Sequence, residues 1–195
     1  KNLYYYIGVK VIYMDKRILK TKKKLTSTLL SLIEEKKIKK ITVLELCEKA
    51  NINRTTFYKY YTDIDDLVTK IEESLLLDLE NNITDIKRNY LISYINKTIE
   101  TIKSHKEIYT KLLSSNGDKT FLRKILFLVH DQSIIEWQRI LKKASSEDLE
   151  NIYKFIVDGS VGIIENWINK DCKEEPVTIA NFINKLCMSG LSSFI

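Results

Sequence analysis

Few side chains in this sequence of 195 residues have the types and spacing that catalysis or metal binding needs. The two histidines, His105 and His130, lie far apart, with no HxxxH pair and no acidic spacing suited to a metal. Asp158 and Glu165 are seven residues apart, so a helix would place both carboxylates on one face, although a solvated charged stripe is the commoner arrangement. The sequence contains no GxSxG, P-loop or GxGxxG motif. We therefore expect no enzymatic activity, no catalytic residue, no metal site and no cofactor.

The cysteines argue against an oxidised scaffold. Cys47, Cys172 and Cys187 are odd in number and scattered, and no CxxC pair suits zinc. This usage is typical of a reducing compartment, so we expect a cytoplasmic protein. The sequence has no run of about 18 apolar residues, so we predict no membrane-spanning helix.

Charge is distributed unevenly along the chain. Residues 1–62 contain 15 Lys/Arg and 5 Asp/Glu, a balance of +10, whereas residues 63–195 contain 17 and 21, a balance of −4. Because residues 1–62 are basic and the remainder is mildly acidic, the sequence indicates a polyanionic partner that binds the N-terminal part of the chain. The alternative is a solvated basic surface that only aids solubility.

The elements that carry these charges are predicted to be helices. One Pro and five Gly are too few for a β-rich protein, because turns consume those residues, so the fold class is predicted to be all-α. Leu25, Leu29, Leu32 and Ile33 follow helical spacing and predict a helix over about 20–37.

The next residues predict two short helices joined by a turn. Thr42 is an N-cap candidate, and Glu45, three residues later, completes a capping box. Asn51 suits a left-handed turn, and Asn53 can cap a helix over 54–60. Asp63 can cap the long helix that follows. A leading helix followed by two short helices and a tight turn forms a helix-turn-helix unit.

The rest of the chain is predicted to form longer helices. Breaks at Ser, Asn, Gly and Asp clusters, and Pro176 at a first helical turn, set their limits. These helices cover about 90–104, 106–115, 118–143, 146–170 and 176–193.

Residues 42–67, TVLELCEKANINRTTFYKYYTDIDDL, resemble the N-terminal DNA-binding domain of TetR/AcrR-type transcriptional regulators. Core, turn and surface positions match in register, at Thr42, Val43, Leu46, Ala50, Ile52, Thr56, Phe57, Tyr58, Tyr60 and Leu67. Residues 109–125 and 155–186 are similar, more loosely, to a C-terminal regulatory domain of the Firmicutes branch. The resemblance implies a helix-turn-helix domain over 14–66 and a helical-bundle regulatory and dimerisation domain over 67–195.

DNA contacts are expected from the second short helix. In a helix-turn-helix this helix enters the major groove and its first residues, here Arg54 and Thr55, reach base edges. The guanidinium of Arg54 can bond both O6 and N7 of guanine. Thr42, at a helix N-terminus, suits a phosphate.

The resemblance implies phosphate contacts from three more hydroxyl groups, and Lys59 can contact a base or a phosphate. The three hydroxyl residues are Thr56, Tyr58 and Tyr60. The alternative for Tyr58 and Tyr60 is that they only pack, while Phe57 and Tyr61 are interpreted as core. This sequence differs from the family pattern at two positions. Asn51 stands where the family usually has Gly, and Ile64 stands where it often has a Lys that contacts a DNA phosphate.

Two further sets of residues are candidates in the C-terminal part. Aromatic residues that could line an effector pocket, or be ordinary core, are Tyr94, Tyr109, Phe127, Trp137 and Trp167. Gly159 and Gly162 cost a helix about 1 kcal/mol each relative to Ala, which suggests close helix approach. The resemblance implies a four-helix homodimer interface, for which the candidates are Phe155, Gly159, Gly162, Ile163, Ile179 and Ile183.

The resulting expectation is a homodimeric repressor of transcription. It would bind a palindromic operator in double-stranded DNA and respond to a small-molecule effector in the C-terminal domain. The alternative is a coactivator on the same scaffold that acts through a bound protein partner. The sequence becomes Lys-rich after Met14, so residues 1–13 are predicted to be an upstream extension or tag, with an N-terminal strand or arm as the alternative.

Overall fold

The computed structural model describes residues 4–7, 10–13, 16–81, 90–118 and 120–194. Helices dominate these residues, which confirms the predicted all-α fold class. A β-hairpin (β1, Tyr4–Ile7; β2, Lys10–Tyr13) precedes them, and 3-10 turns cover Ile38–Lys40 and Ser192–Phe194. The described α-helices are α1 (Lys16–Glu35), α2 (Val43–Ala50), α3 (Arg54–Phe57), α4 (Ile64–Asn81), α5 (Tyr90–Ser104), α6 (Lys106–Leu112), α7 (Phe121–Phe127), α8 (His130–Ile140), α9 (Ser146–Asn169) and α10 (Pro176–Leu191).

The hairpin falls within the predicted extension. Its strands are antiparallel, with Tyr4 opposite Tyr13 and Ile7 opposite Lys10. Residues 1–3, 8 and 9, and Met14, lie outside the described part of the chain. The assignment of residues 1–13 to an extension stays a prediction.

The chain forms two compact units. Unit 1 contains residues 1–78 together with 115–117, and unit 2 contains 79–114 and 118–195. The division therefore lies within α4, whereas the predicted domains meet at 66/67. Ile64, Leu67 and Ile71, in the first turns of α4, are buried and belong to unit 1.

Unit 1 is built on the apolar stripe of α1. Leu25, Leu29, Leu32 and Ile33 are fully or almost fully buried, as the helical spacing predicts, and α1 packs against α2. Asn116 of the short segment 115–117 fastens the end of this helix. Its Nδ2 donates to the carbonyl of Ile33 at 2.9 Å, and its own carbonyl accepts from the Ile38 N–H at 2.8 Å.

Unit 2 is organised around α9 and α10. Helix α10 packs on both α5 and α9, and α9 also contacts α7 and α8. Helix α9 starts at a reciprocal capping box, in which Ser145 Oγ accepts from the Asp148 N–H and Asp148 accepts from the Ser145 N–H. Two hydrogen-bond donors satisfied in this way fix where the helix begins.

Some predicted helix limits are wrong. The helix predicted over 118–143 is two helices, because the hydrogen-bond ladder breaks at Leu128 and Val129 between α7 and α8. The helix predicted over 54–60 ends at Phe57 and continues as a turn. Helix α6 ends at Leu112, before the predicted 115, because the Asp118 N–H bonds the Leu112 carbonyl and turns the chain.

Candidate nucleic-acid interface

The entry to α2 is fixed by Thr42. Its backbone is extended and its Oγ1 accepts from the Glu45 N–H at 3.2 Å, which confirms the predicted N-cap. The Glu45 carboxylate interacts with the Thr42 backbone, as the capping box predicts, and it also accepts from Lys36 Nζ at 2.7 Å. This hydrogen bond from Lys36 holds the pKa of Glu45 below its usual value. Thr42 is therefore held in place with its side chain exposed at a helix N-terminus, where a phosphate would be favoured.

The turn between α2 and α3 follows the predicted backbone. Asn51 has φ 47° and ψ 53°, in the left-handed region, and its N–H donates to the Glu48 carbonyl at 3.0 Å. The Ile52 N–H reaches back to the Cys47 carbonyl at 2.9 Å, so two orphan carbonyls of α2 are satisfied. Asn therefore takes the position at which the family usually has Gly.

Helix α3 is short and has one buried residue. Asn53 Oδ1 accepts from the Thr55 N–H at 2.8 Å, which confirms the predicted cap. Phe57 is completely buried and its ring lies 5.5 Å from that of Tyr61, which is also buried. Both are core residues, as predicted. Burial raises the pKa of Tyr61 to about 12, so this phenol stays neutral.

The side chains predicted to contact DNA lie around this anchor. Arg54, Thr55 and Lys59 are exposed, and Tyr58 is 58% exposed. Thr56 and Tyr60 are half-buried, and Lys22 Nζ of α1 lies 5.9 Å from the centre of the Tyr60 ring. These assignments as DNA contacts remain predictions.

Ile64 is an apolar residue where the family often has a phosphate-binding lysine. It is buried in the first turn of α4, so the phosphate contact is replaced by core packing. Asp63 Oδ1 accepts from the Asp66 N–H at 2.7 Å, in agreement with its predicted cap. Lys70 donates to the Tyr60 carbonyl at 2.8 Å and to Asp66 at 3.0 Å, which ties the turn after α3 to α4.

Unit 1 contains many basic side chains. Within the described part of unit 1, Lys36 and Lys49 are paired with Glu45 and Glu35, so their charge is largely neutralised. Besides the ion-paired Lys49 and Lys70, the exposed basic residues of this part are Lys16, Arg17, Lys20, Lys23, Lys24, Lys37, Lys39, Lys40, Arg54 and Lys59. These exposed cations belong to the same unit as α3, and their charge suits the phosphates of a duplex.

The five candidate effector residues do not form one cluster. Phe127 and Trp137 both pack against Tyr153, with ring centres at 5.7 and 5.9 Å, although Phe127 is 43% exposed. Tyr109 is buried and stacks on Phe121 at 6.3 Å. Tyr94 is also buried, on α5.

Trp167 lies further along α9. Its indole N–H donates to the Glu174 carbonyl at 3.0 Å. It follows Tyr153 by 14 residues, which is about 21 Å along a helix. One small ligand could therefore contact the group around Tyr153 or the region of Trp167, but not both.

Most of the candidate dimer residues lie close together, unlike the candidate effector residues. Gly159, Gly162, Ile163 and Ile179 line one groove of about 420 Å³ between α9 and α10, together with Trp167 and Phe182. Phe155 is 77% exposed one turn away, whereas Ile183 is buried within the protomer. A Cβ at Gly159 or Gly162 would meet no atom within 4 Å, so neither glycine is explained by packing within this chain.

No group of three His, Cys, Asp or Glu residues that could hold a metal ion occurs within the described residues. Burial raises the pKa of the Cys187 thiol to about 11 and also raises the pKa values of Cys47 and Cys172. Among the described helices, none has the length and apolarity that crossing a bilayer requires.

Comparison with known families and proteins gives consistent matches. Residues 89–189, just over half of the chain, match the family model TetR_C_8, a transcriptional regulator C-terminal region. The uncharacterised HTH-type transcriptional regulator YxbF of Bacillus subtilis (strain 168) is 21% identical over 165 residues. That alignment covers 81% of this chain and 42% of YxbF, so the chain spans less than half the length of this relative.

Solved structures share the fold. The fatty acid degradation regulator FadR from Bacillus halodurans superposes with a TM-score of 0.63 at 16% identity, over 88% of this chain and 96% of FadR. The dihydroxyacetone kinase operon activator DhaS gives a TM-score of 0.52 at 18% identity, over 90% of this chain and 98% of DhaS.

Proposed function

The chain belongs to the TetR family of transcriptional regulators, and from this membership we propose that it is a sequence-specific, homodimeric repressor controlled by a small-molecule effector. Unit 1 would bind the operator and unit 2 would bind the effector and the second protomer. The activity proposed is binding alone, in the cytoplasm, without catalysis.

The observation that carries the DNA-binding proposal is the construction of α3. Phe57 anchors the helix in the core, Asn51 and Asn53 fix its entry, and Arg54 and Thr55 are left exposed at its start. The residues at the start of such a helix reach base edges when it lies in the major groove. Thr42, Thr56, Tyr58, Lys59 and Tyr60 would hold the flanking phosphates and so set the register.

Dimerisation is proposed through the outer face of α9 and α10. The open glycine positions and the exposed rings of Phe155 and Phe182 leave an apolar groove that a second copy would cover. A two-fold dimer would present two α3 helices to half-sites about 34–36 Å apart, so the operator should be palindromic.

Three polar atoms support effector binding in unit 2. The Oδ1 atoms of Asn96 and Asn184 and the Oγ of Ser160 are shielded from solvent without a hydrogen-bond partner among the described residues. These residues lie on α5, α10 and α9, and α10 packs on the other two helices. An unsatisfied buried polar group costs about 1–3 kcal/mol, which a ligand with N–H or O–H donors would offset. Such a ligand can weaken operator binding only if it binds the DNA-bound conformation of the protein less tightly than the free conformation.

A second candidate function is activation through a bound protein. The fold is shared with DhaS, an operon activator, and α10 exposes Leu186 and Met188 beyond the glycine groove. A stable complex with a protein other than a second copy would favour this alternative. Release of the operator by a small molecule would favour the first.

The decisive experiment is selection of bound duplexes from a random pool, followed by mapping of genomic sites. We expect a palindromic sequence. Binding should weaken as salt rises, with log Kd increasing by about 0.9 per tenfold increase in salt for each phosphate contacted. A pool without an enriched sequence would overturn sequence-specific binding. Affinity that does not respond to salt would overturn the role of the basic surface.

A further inference from the structure

Leu44 is an exposed apolar side chain beside the start of α3. It lies in the first turn of α2 and is 49% exposed, whereas Leu46, Cys47 and Ala50 of the same helix are buried. Its position is about 160° around the helix from Leu46, so it cannot join the core stripe. Packing of unit 1 therefore gives no reason for a leucine at this position.

Leu44 shares a cleft with the residue expected to bind guanine. This cleft, of about 460 Å³, has Leu44 and Arg54 in its lining, together with Glu48, the turn residues 51–53 and Cys47. An apolar side chain and a guanidinium thus face the same open space. Glu48 is exposed in this lining, and its carboxylate disfavours entry of a phosphate. A base edge is better suited to the space than the DNA backbone is.

In the major groove, thymine is the base that presents a methyl group, and apolar side chains contact that group. We propose that Leu44 is a specificity-determining residue that contacts the C5-methyl group of a thymine next to the guanine bound by Arg54. This proposal rests on the proposed DNA-binding function. It assigns sequence reading to α2 as well as to α3, and it predicts a thymine beside the guanine in each half-site.

Replacing thymine by deoxyuridine tests the contact, because it removes the methyl group and keeps the base pairing. Each thymine of the selected duplex is replaced in turn, symmetrically in both half-sites, and Kd is measured for the wild type, Leu44→Ala and Leu44→Met. We expect one thymine per half-site at which wild-type affinity falls about fourfold per methyl group, the effect of one buried carbon group. Leu44→Ala should bind the thymine duplex and the deoxyuridine duplex with equal affinity, whereas Leu44→Met should still bind the deoxyuridine duplex more weakly.

Controls separate this contact from general effects. Ile135→Ala on α8, which also shortens an exposed apolar side chain, should leave the deoxyuridine profile unchanged. Leu44→Ala should keep its melting temperature, because the residue is half exposed. Identical profiles for Leu44→Ala and the wild type, or equal weakening on every duplex, would overturn the proposal while specific DNA binding stands. A wild type that selects no sequence would overturn the proposed function itself.

Discussion

His130 and Glu150 join α8 to α9 through a contact of 2.8 Å between Nε2 and Oε2. The other ring nitrogen, Nδ1, lies 2.8 Å from Oδ1 of Asp131, and the ring packs edge-on against Tyr153 with centres 4.7 Å apart. Hydrogen bonding to Asp131 first, and then to Glu150, raises the pKa of His130, because both carboxylates favour the imidazolium. The histidine therefore links two helices most strongly when it is charged.

We predict that this link stabilises the protein at acidic pH. A pKa raised by folding gives stabilisation that is complete below the unfolded value, near 6.5, and that is lost as pH rises through the folded pKa. His130→Gln should therefore cost about 0.5–1 kcal/mol at pH 5.5, the range of a solvent-accessible ion pair, and less at pH 8.5. Urea denaturation at both pH values measures the difference.

His105 provides the control for this prediction. It is the other histidine of the chain and lies exposed at the junction of α5 and α6. His105→Gln should change the unfolding free energy by less than about 0.5 kcal/mol at either pH. A cost for His130→Gln that grows with pH would contradict the prediction.

A second prediction concerns Asn51. A non-glycine residue with φ 47° is strained unless its side chain tolerates the left-handed region, as Asn does. Asn51→Gly should be neutral, whereas Asn51→Val should cost about 1–2 kcal/mol in unfolding free energy. Thr69→Val, exposed within α4, introduces the same side chain on right-handed helical backbone and should have little effect. Equal costs for the two valine variants would show that the turn is not strained.

Local sequence signals predicted the caps and the turn of the helix-turn-helix well. The caps at Thr42, Asn53 and Asp63 and the turn at Asn51 depend on side chains that bond their own neighbouring backbone, so four or five residues contain the information. The hydrogen bond from Lys36 to the Glu45 carboxylate could not be predicted in this way. It depends on Lys36, which approaches only after α1 has packed against α2.

Periodicity alone failed where it continued through a break. Leu126, Val129, Ser133 and Trp137 are all buried at spacings of three or four residues, so the pattern runs across the end of α7 unaltered. The junction is visible only in the backbone of Val129, with φ −104° and ψ 13°. Helical spacing likewise indicates which aromatic residues are buried, but it does not indicate which cluster each ring joins.

The third prediction separates base contacts from phosphate contacts. Arg54→Ala should reduce the preference for the selected operator over a scrambled duplex by about 1–3 kcal/mol, with binding to the scrambled duplex nearly unchanged. Tyr58→Phe removes only a hydroxyl from a side chain that is 58% exposed, and it should weaken both duplexes about equally. Anisotropy titrations at one salt concentration give both ratios. Uniform weakening by Arg54→Ala would assign this residue to a phosphate.

The final prediction concerns Gly162, which lies near the middle of the exposed face of α9. Phe155 and Asn166 lie on the same face, and a Cβ at Gly162 would meet no atom within 4 Å beyond its chain neighbours and the backbone of its own helix. The position is exposed and leucine has a higher helix propensity than glycine, so the fold should persist. In a dimer built on this face, the added side chain would hold the two α9 helices apart. Gly162→Leu should therefore sediment as a monomer with an unchanged helical circular-dichroism spectrum.

Operator affinity should fall with dimerisation, although Gly162 is in unit 2 and the recognition residues are in unit 1. A monomer places one α3 helix on the palindrome and loses the gain from the second half-site. Gln132→Leu on α8 introduces the same side chain at an exposed position outside the groove, and it should remain a dimer with normal affinity. If Gly162→Leu also remains a stable dimer with normal operator affinity, the interface lies on another surface of unit 2.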